Sequence, residues 1–237
     1  MEHLDPQLLL GAYSVGVFPM ADGRDADSVY WVEPPRRAIL PLDGFHLAHS
    51  LRKTLVADRF HVTADHAFDA VLALCAEAAA DRPDTWINPG IAEAFGHLHR
   101  LGFAHSVECW DGDQLVGGLY GLALGRAFFG ESMVSRATDA SKVALAWLVA
   151  RLRAGGFTLL DCQFQTPHLA TLGATEIDRA AYKALLGEAL SDVVGVSSVA
   201  AGRDAAGDFF ALDTVLSDSV SGPVAGKDIV QLLVQTS

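Results

Sequence analysis

The stretch from Phe128 to Gln165 constrains the fold of this chain more than any other. It reads Phe128-Phe129-Gly130-Glu131-Ser132-Met133-Val134-Ser135, a polar loop Arg136-Ala137-Thr138-Asp139-Ala140-Ser141, an apolar helix to Ala154, Gly155-Gly156, then Phe157-Thr158-Leu159-Leu160-Asp161-Cys162-Gln163. Strand, helix and strand joined this tightly make the two strands parallel neighbours. Glu131, Asp161 and Gln163 then stand on adjacent strands inside otherwise apolar runs, where a carboxylate is costly unless it is partnered or used. The two strands are read as an active-site floor. Because residues i and i+2 of a strand face the same side, Asp161 and Gln163 are expected to project together, with Cys162 pointing away.

The flanking sequence supplies the rest of a sheet. Ser106 to Trp110, Leu115 to Leu124 and Ala127 to Ser135 read as strands linked by Asp111-Gly112-Asp113 and Gly125-Arg126, short turns that make an antiparallel meander. Asp5-Pro6 opens a first helix. Asp65 is expected to cap a helix bearing Phe68, Val71, Leu72 and Cys75, and Asp81 to Asp84 to form a polar turn. Gly102 stops a helix that begins at Ile91. The segment Tyr30 to Leu40 contains Pro34-Pro35, which predicts an edge strand. Asp178 to Leu186 reads as a helix. A meander closed by one parallel crossover predicts a mixed α/β (α+β) sheet of the acetyltransferase-like, GNAT-type plan. The expected organisation is a small loop-rich domain over 1–58, a catalytic domain over 59–186, and an extension over 187–237 in which no motif is readable.

Composition narrows the chemistry. The formal charge of −12 is opposite to that of a protein built for long duplex nucleic acid. Arg36-Arg37 and Arg52-Lys53 are the local exceptions, read either as a nucleic-acid patch or as solvated surface. An acidic start and the lack of an apolar run near ~18 residues predict a cytoplasmic protein with no membrane partner. Cys75, Cys109 and Cys162 show no paired spacing, which suits unpaired thiols in a reducing compartment and argues against a thiol nucleophile. The loop from Arg136 to Ser141 has no glycine and carries Asp139, so it cannot cradle a pyrophosphate at a helix N-terminus as a coenzyme A enzyme would. No nucleotide-binding glycine motif is present. His97 and His99 on a helix face different ways, and no metal is expected from them or from His105. No cofactor is therefore expected; the fold serves another acyl donor or none, and one ready activated acyl group in cytoplasm is the aminoacyl ester on tRNA.

The blocks Gly16-Val17-Phe18-Pro19, Trp31-x-x-Pro34-x-x-Arg37-Ala38, Thr85-Trp86-Ile87, Leu101-Gly102-x-Ala104-His105-Ser106-Val107-Glu108, Leu115-Val116-Gly117-Gly118-x-Tyr120-Gly121, Gly130-Glu131-Ser132-Met133-x-Ser135-Arg136 and Asp161-Cys162-Gln163 occur in this order. Together, over roughly Leu8 to Leu186, they resemble the bacterial leucyl/phenylalanyl-tRNA protein transferase family. The resemblance implies transfer of Leu, Phe or Met from aminoacyl-tRNA to the α-amine of proteins that begin with Arg or Lys, creating a degradation signal (the N-end rule). It also implies a catalytic pair in which Asp161 orients Gln163 and the Gln163 carbonyl oxygen accepts a hydrogen bond from the attacking amine.

Glu131 is read as receiving the acceptor's basic side chain or anchoring its amine, the structural alternative being an ion pair with Arg136 or Arg126. Met133, Leu145 and Leu160 flank the carboxylates and are placed in the donor side-chain pocket. Trp31 and Trp86 look like stacking partners for the 3′-terminal adenosine. Ser135 and Arg136 either touch the terminal phosphates or cap the crossover helix. Two other functions stay open: a tRNA-dependent transferase with a different amine acceptor, and a non-catalytic binder of basic protein N-termini.

Overall fold

The structure, a computed structural model, describes residues 4–77, 85–194, 206–219 and 224–235. The expected turn at Asp81 to Asp84 lies outside them. In chain order the elements are α1 (Pro6–Ser14), β1 (Phe18–Met20), β2 (Tyr30–Val32), β3 (Arg36–Ile39), α2 (His49–Val56), β4 (His61–Ala64), α3 (Phe68–Ala76), α4 (Pro89–Arg100), β5 (Ala104–Asp111), β6 (Gln114–Leu124), β7 (Ala127–Ser135), α5 (Ala140–Ala154), β8 (Leu159–Gln163), α6 (Pro167–Thr171), β9 (Thr175–Asp178), α7 (Arg179–Val194), α8 (Ala211–Ser219) and α9 (Gly226–Val234).

Seven strands form one mixed sheet in the order β4-β5-β6-β7-β8-β3-β9, and β1 and β2 make a separate antiparallel pair. The meander β5-β6-β7 is antiparallel, and β7 and β8 are parallel neighbours joined by α5, as the turn chemistry requires. The fold is thus mixed α/β. Beyond β8 the sheet departs from the sequence reading. Arg36–Ile39 is no edge strand, since it pairs with β8 on one side and β9 on the other. The reason is that Pro34 and Pro35 precede the strand proper, whose own four residues all keep their N–H groups for the ladder. The sheet therefore draws strands from both sides of the division expected at residue 58.

Strand alternation divides the interior in two. Phe128 and Leu160 face a core shared with α2, α5, α8 and α9, while Phe129 and Leu159 face a core shared with α1, α3, α4 and α7. Helix α5 is the spine of the first core and is apolar nearly all round, which is the pattern of a helix covered on every side. Its start lies very close to β6: a Cβ on Gly117 would come within 2.5 Å of the Ala140 Cβ, so only glycine fits there.

The extension beyond 187 supplies much of α5's cover. Arg151 of α5 forms a two-pronged pair with Asp213 of α8, and Arg153 donates to the Leu232 and Leu233 carbonyls near the C-terminus of α9. Phe209, Leu212, Ile229, Val230 and Leu233 are buried in the same core. Helix α7 also runs past the expected boundary, to Val194. One cap differs from expectation. Asp65 leaves α3 uncapped, adopts φ +58°, and instead accepts from the Ser106 N–H while pairing with the His105 imidazole at 2.7 Å.

Candidate active site

Strands β7 and β8 pair only from Ala127 opposite Leu159 to Phe129 opposite Asp161. Both continue beyond that point without pairing to each other, and a crevice between parallel strands past their last shared bonds is where α/β sheets hold ligands. Two backbone irregularities shape the opening. On β7, Tyr120 of β6 faces Ser132 while Gly121 faces Gly130, which leaves Glu131 as the extra residue of a bulge. Such a bulge re-aims its side chain. On β8, Gln163 has φ +61°, in the left-handed region that a non-glycine residue enters only when its surroundings hold it there.

These irregularities correct the expected geometry at β8. Asp161 and Gln163 do not project as an i, i+2 pair into one space. Asp161 is fully buried and its Oδ1 accepts the Gln163 backbone N–H at 2.8 Å, a bond that fixes the left-handed turn. The Gln163 side chain swings toward β7, where its Nε2 donates to Glu131 Oε1 at 2.9 Å. Cys162, expected to point away from Gln163, lines the same cavity as it does. Burial raises the Cys162 thiol pKa far above its usual value, with the Asp161 charge adding to the effect.

Asp161 is completely satisfied. Arg37 donates to it through Nε and Nη2, at 2.9 and 3.0 Å for Nε and 2.5 Å for Nη2, and the Tyr182 hydroxyl adds a bond of 2.8 Å. The Arg37 guanidinium lies between the rings of Phe18 and Tyr182, 4.6 Å from each centroid, and its Nη1 donates to the Gly16 carbonyl. Arg37, taken with Arg36 as a candidate basic patch, is buried and neutralised by its partner. A guanidinium removed from water needs this degree of pairing.

Glu131 is the opposite case. The Tyr13 hydroxyl donates to Oε1 at 2.8 Å, and Gln163 donates to the same atom. Oε2 is buried and has no hydrogen-bond partner among the described residues. The ion pairs considered for it do not form, because Arg136 pairs with Glu77 and Arg126 donates to the Gly156 carbonyl. Burial pushes the Glu131 carboxyl up to about 8, against the opposing pull of the Tyr13 and Gln163 hydrogen bonds. That value matches a protein α-amine, whose pKa is about 7.7 to 8.0.

Glu131 opens onto a cavity of ≈ 350 Å³ between the diverging strands, α5 and α6. The volume lies at the small end of the roughly 300 to 1,000 Å³ typical of ligand sites. Met133, Leu145 and Leu160 line it, and so does Trp86. Its wall reaches the surface at Phe164, which is 44% exposed. Trp31 stands elsewhere, on β2 opposite Pro19 and 40% exposed. Ser135 and Arg136 also stand outside the lining: the Ser135 hydroxyl accepts the Ser141 N–H at the start of α5. The helix-capping alternative thus has a bond behind it.

Several residues of the site carry no functional signal in the sequence. Arg37 belongs to one of the family-like blocks and to the pair read as a nucleic-acid patch or solvated surface, and neither points to its place beside Asp161. Tyr13 and Tyr182 are equally silent, since an isolated tyrosine on a helix reads as core. His168 on α6 lines the cavity with its Nε2 buried and without a hydrogen-bond partner among the described residues, and burial lowers its pKa, with Lys142 contributing. His99 and His105 are engaged separately, at the Ala104 carbonyl and at Asp65.

Comparison with known proteins adds a family to this geometry. Residues 39–187 match the family model described as leucyl/phenylalanyl-tRNA protein transferase, and residues 2–35 match the N-terminal domain of the same family. A leucyl/phenylalanyl-tRNA–protein transferase of Rhizorhabdus wittichii is 62% identical, with all of both chains covered. One from Zymomonas mobilis is 62% identical over 79% of this chain and 70% of its own, and one from Afipia carboxidovorans is 47% identical over 99% and 95%.

Proposed function

The chain belongs to the leucyl/phenylalanyl-tRNA protein transferase family, and from that premise we propose that it moves Leu, Phe or Met from aminoacyl-tRNA to the α-amine of proteins that begin with Arg or Lys, marking them for degradation. It is an aminoacyltransferase, and its partners are an aminoacyl-tRNA and a protein acceptor. The observation that carries the finer reading is the bare Oε2 of Glu131, a buried acceptor with no partner among the described residues, on a side chain that lines a cavity with an apolar wall. An N–H of the incoming neutral amine satisfies it.

In this reading Glu131 anchors the acceptor's α-amine and takes its proton, the two groups having closely matched proton affinities. The Gln163 carbonyl oxygen accepts a second amine hydrogen and aims the lone pair. The amine nitrogen bonds to the ester carbonyl carbon, the bond from that carbon to the ribose oxygen breaks, and the released oxygen takes up the proton that the amine gave. Asp161 acts one step back. Held by Arg37 and Tyr182, it keeps the Gln163 backbone in its left-handed turn and is a positioning residue. Met133, Leu145 and Leu160 receive the donor's apolar side chain, and methionine adapts to Leu, Phe and Met alike. Trp86 at the cavity, with Trp31 on the neighbouring hairpin, stacks on the terminal adenosine. Ser135 and Arg136 serve the tRNA end or the start of α5.

The test is transfer of labelled Leu from Leu-tRNA to peptides beginning with Arg, Lys, Asp or Glu. The proposal expects product with Arg and Lys. Equal yields across the four peptides would remove the basic preference, and no product with any of them would remove the reaction.

A further inference from the structure

We infer that Tyr13 is a positioning residue of the reaction: its hydroxyl commits one oxygen of Glu131 and thereby reserves the other, Oε2, for the amine. The inference rests on the reading of Glu131 as the amine's proton acceptor. Tyr13 sits on α1, a helix begun by Asp5 and Pro6 and remote in sequence from β7. It is completely buried, with its ring edge-on to Phe129 at 5.0 Å and to Phe95 at 6.4 Å, so the hydroxyl has one direction to point. That direction is Glu131 Oε1, which already receives Gln163 Nε2. Two donors converging on one oxygen leave a carboxylate asymmetric. The lone pairs of Oε2 stay free, and a proton arriving from the cavity settles there.

The groups around Glu131 define what the hydroxyl contributes. Tyr13 comes from α1, Arg37 from β3, Asp161 and Gln163 from β8, and the Tyr182 phenol from α7, with Tyr120 of β6 acting on Tyr13. Asp161 disfavours the ionised form of Glu131, whereas Arg37, Tyr13 and Gln163 favour it. Arg37 is already engaged with Asp161. Tyr13 and Gln163 are thus the two donors that touch Glu131 itself, and of these only Gln163 is read as touching substrate.

Tyr13→Phe removes the hydroxyl and keeps the ring against Phe95 and Phe129. Two measurements on the full-length variant test the inference. The first follows the Glu131 carboxyl by ¹³C NMR, with Glu131→Gln assigning the resonance; its titration should move up by about one pH unit on loss of a charge-assisted hydrogen bond. The second takes the ratio of variant to wild-type transfer rate, from Leu-tRNA to an Arg-initiated peptide, across pH. The peptide amine's own titration cancels in this ratio. With the carboxylate as the active form and its titration displaced to that extent, the deficit should be about tenfold at pH 7 and shrink to about twofold near pH 9. An unmoved carboxyl titration overturns the role of Tyr13. A moved titration with a deficit constant across pH overturns Glu131 as proton acceptor, and the inference falls with it.

Discussion

Asp161 and Glu131 are carboxylates on adjacent strands, both buried, and they are provided for in opposite ways. Asp161 has a guanidinium, a phenol and a backbone N–H around it, with nothing left to bond. Among the described residues, Glu131 has two donors on one oxygen and none on the other. Charge burial of the first kind is compensated in the folded protein and holds local geometry. Burial of the second kind stores an unmet demand, which a ligand can meet and which lifts the acid's pKa into the range of amines. Burial alone therefore does not distinguish the two carboxylates; the count of protein partners does.

Three experiments probe this contrast. The largest effect should follow Glu131→Gln, which preserves shape: transfer rate is expected to fall about 10²- to 10⁴-fold, the range for loss of a general base. The same change should alter stability in a defined direction. A carboxyl raised in the folded state adds stability that is fully present below its unfolded pKa of about 4.3 and lost as pH rises through its folded value. For Glu131 that value is about 8. Wild-type stability from urea titrations should carry this downward component between those limits, and the Gln variant should lack it. A parallel pH dependence in the two proteins would erase the distinction between the carboxylates.

Arg37→Ala comes next. It strands Asp161 as a buried, uncompensated charge and should cost about 3–5 kcal/mol in the same titrations. A loss below 1 kcal/mol would mean that Asp161 does not depend on its cation. The smallest effect should be that of Tyr182→Phe. Asp161 Oδ2 keeps both of its Arg37 bonds, so about 1 kcal/mol of stability should be lost, with the pH dependence of transfer unchanged. A pH-dependent deficit here, like the one expected for Tyr13→Phe, would place Tyr182 on the reacting side of the contrast.

The sequence disclosed the parts governed by near neighbours. Short glycine-bearing turns announced the β5-β6-β7 meander, and the apolar helix between two strands announced the parallel pairing of β7 and β8. The cavity lining at Met133, Leu145 and Leu160 was legible because those residues lie on the same elements as the carboxylates. What remained hidden depends on contacts distant in the chain. The insertion of β3 between β8 and β9 is set by partners more than 120 residues away, and a charged Arg36-Arg37 pair offers no hint that one member is interior. The left-handed Gln163 was invisible for a related reason: glutamine has no preference for that region, and the Asp161 carboxylate holds it there. The helices beyond residue 206 looked featureless because their apolar residues acquire meaning only against α5 and α2.

The reach of Arg37 sets when this site can come into being. As the chain leaves the ribosome, the guanidinium emerges far ahead of the carboxylate it will neutralise, and Tyr182 follows later still. A nascent chain therefore cannot hold the loop at Gly16, the turn at Gln163 and the charge at Asp161 in register until β8 has been synthesised. The guanidinium that joins these positions is thus made early and finds its counter-charge only once β8 exists.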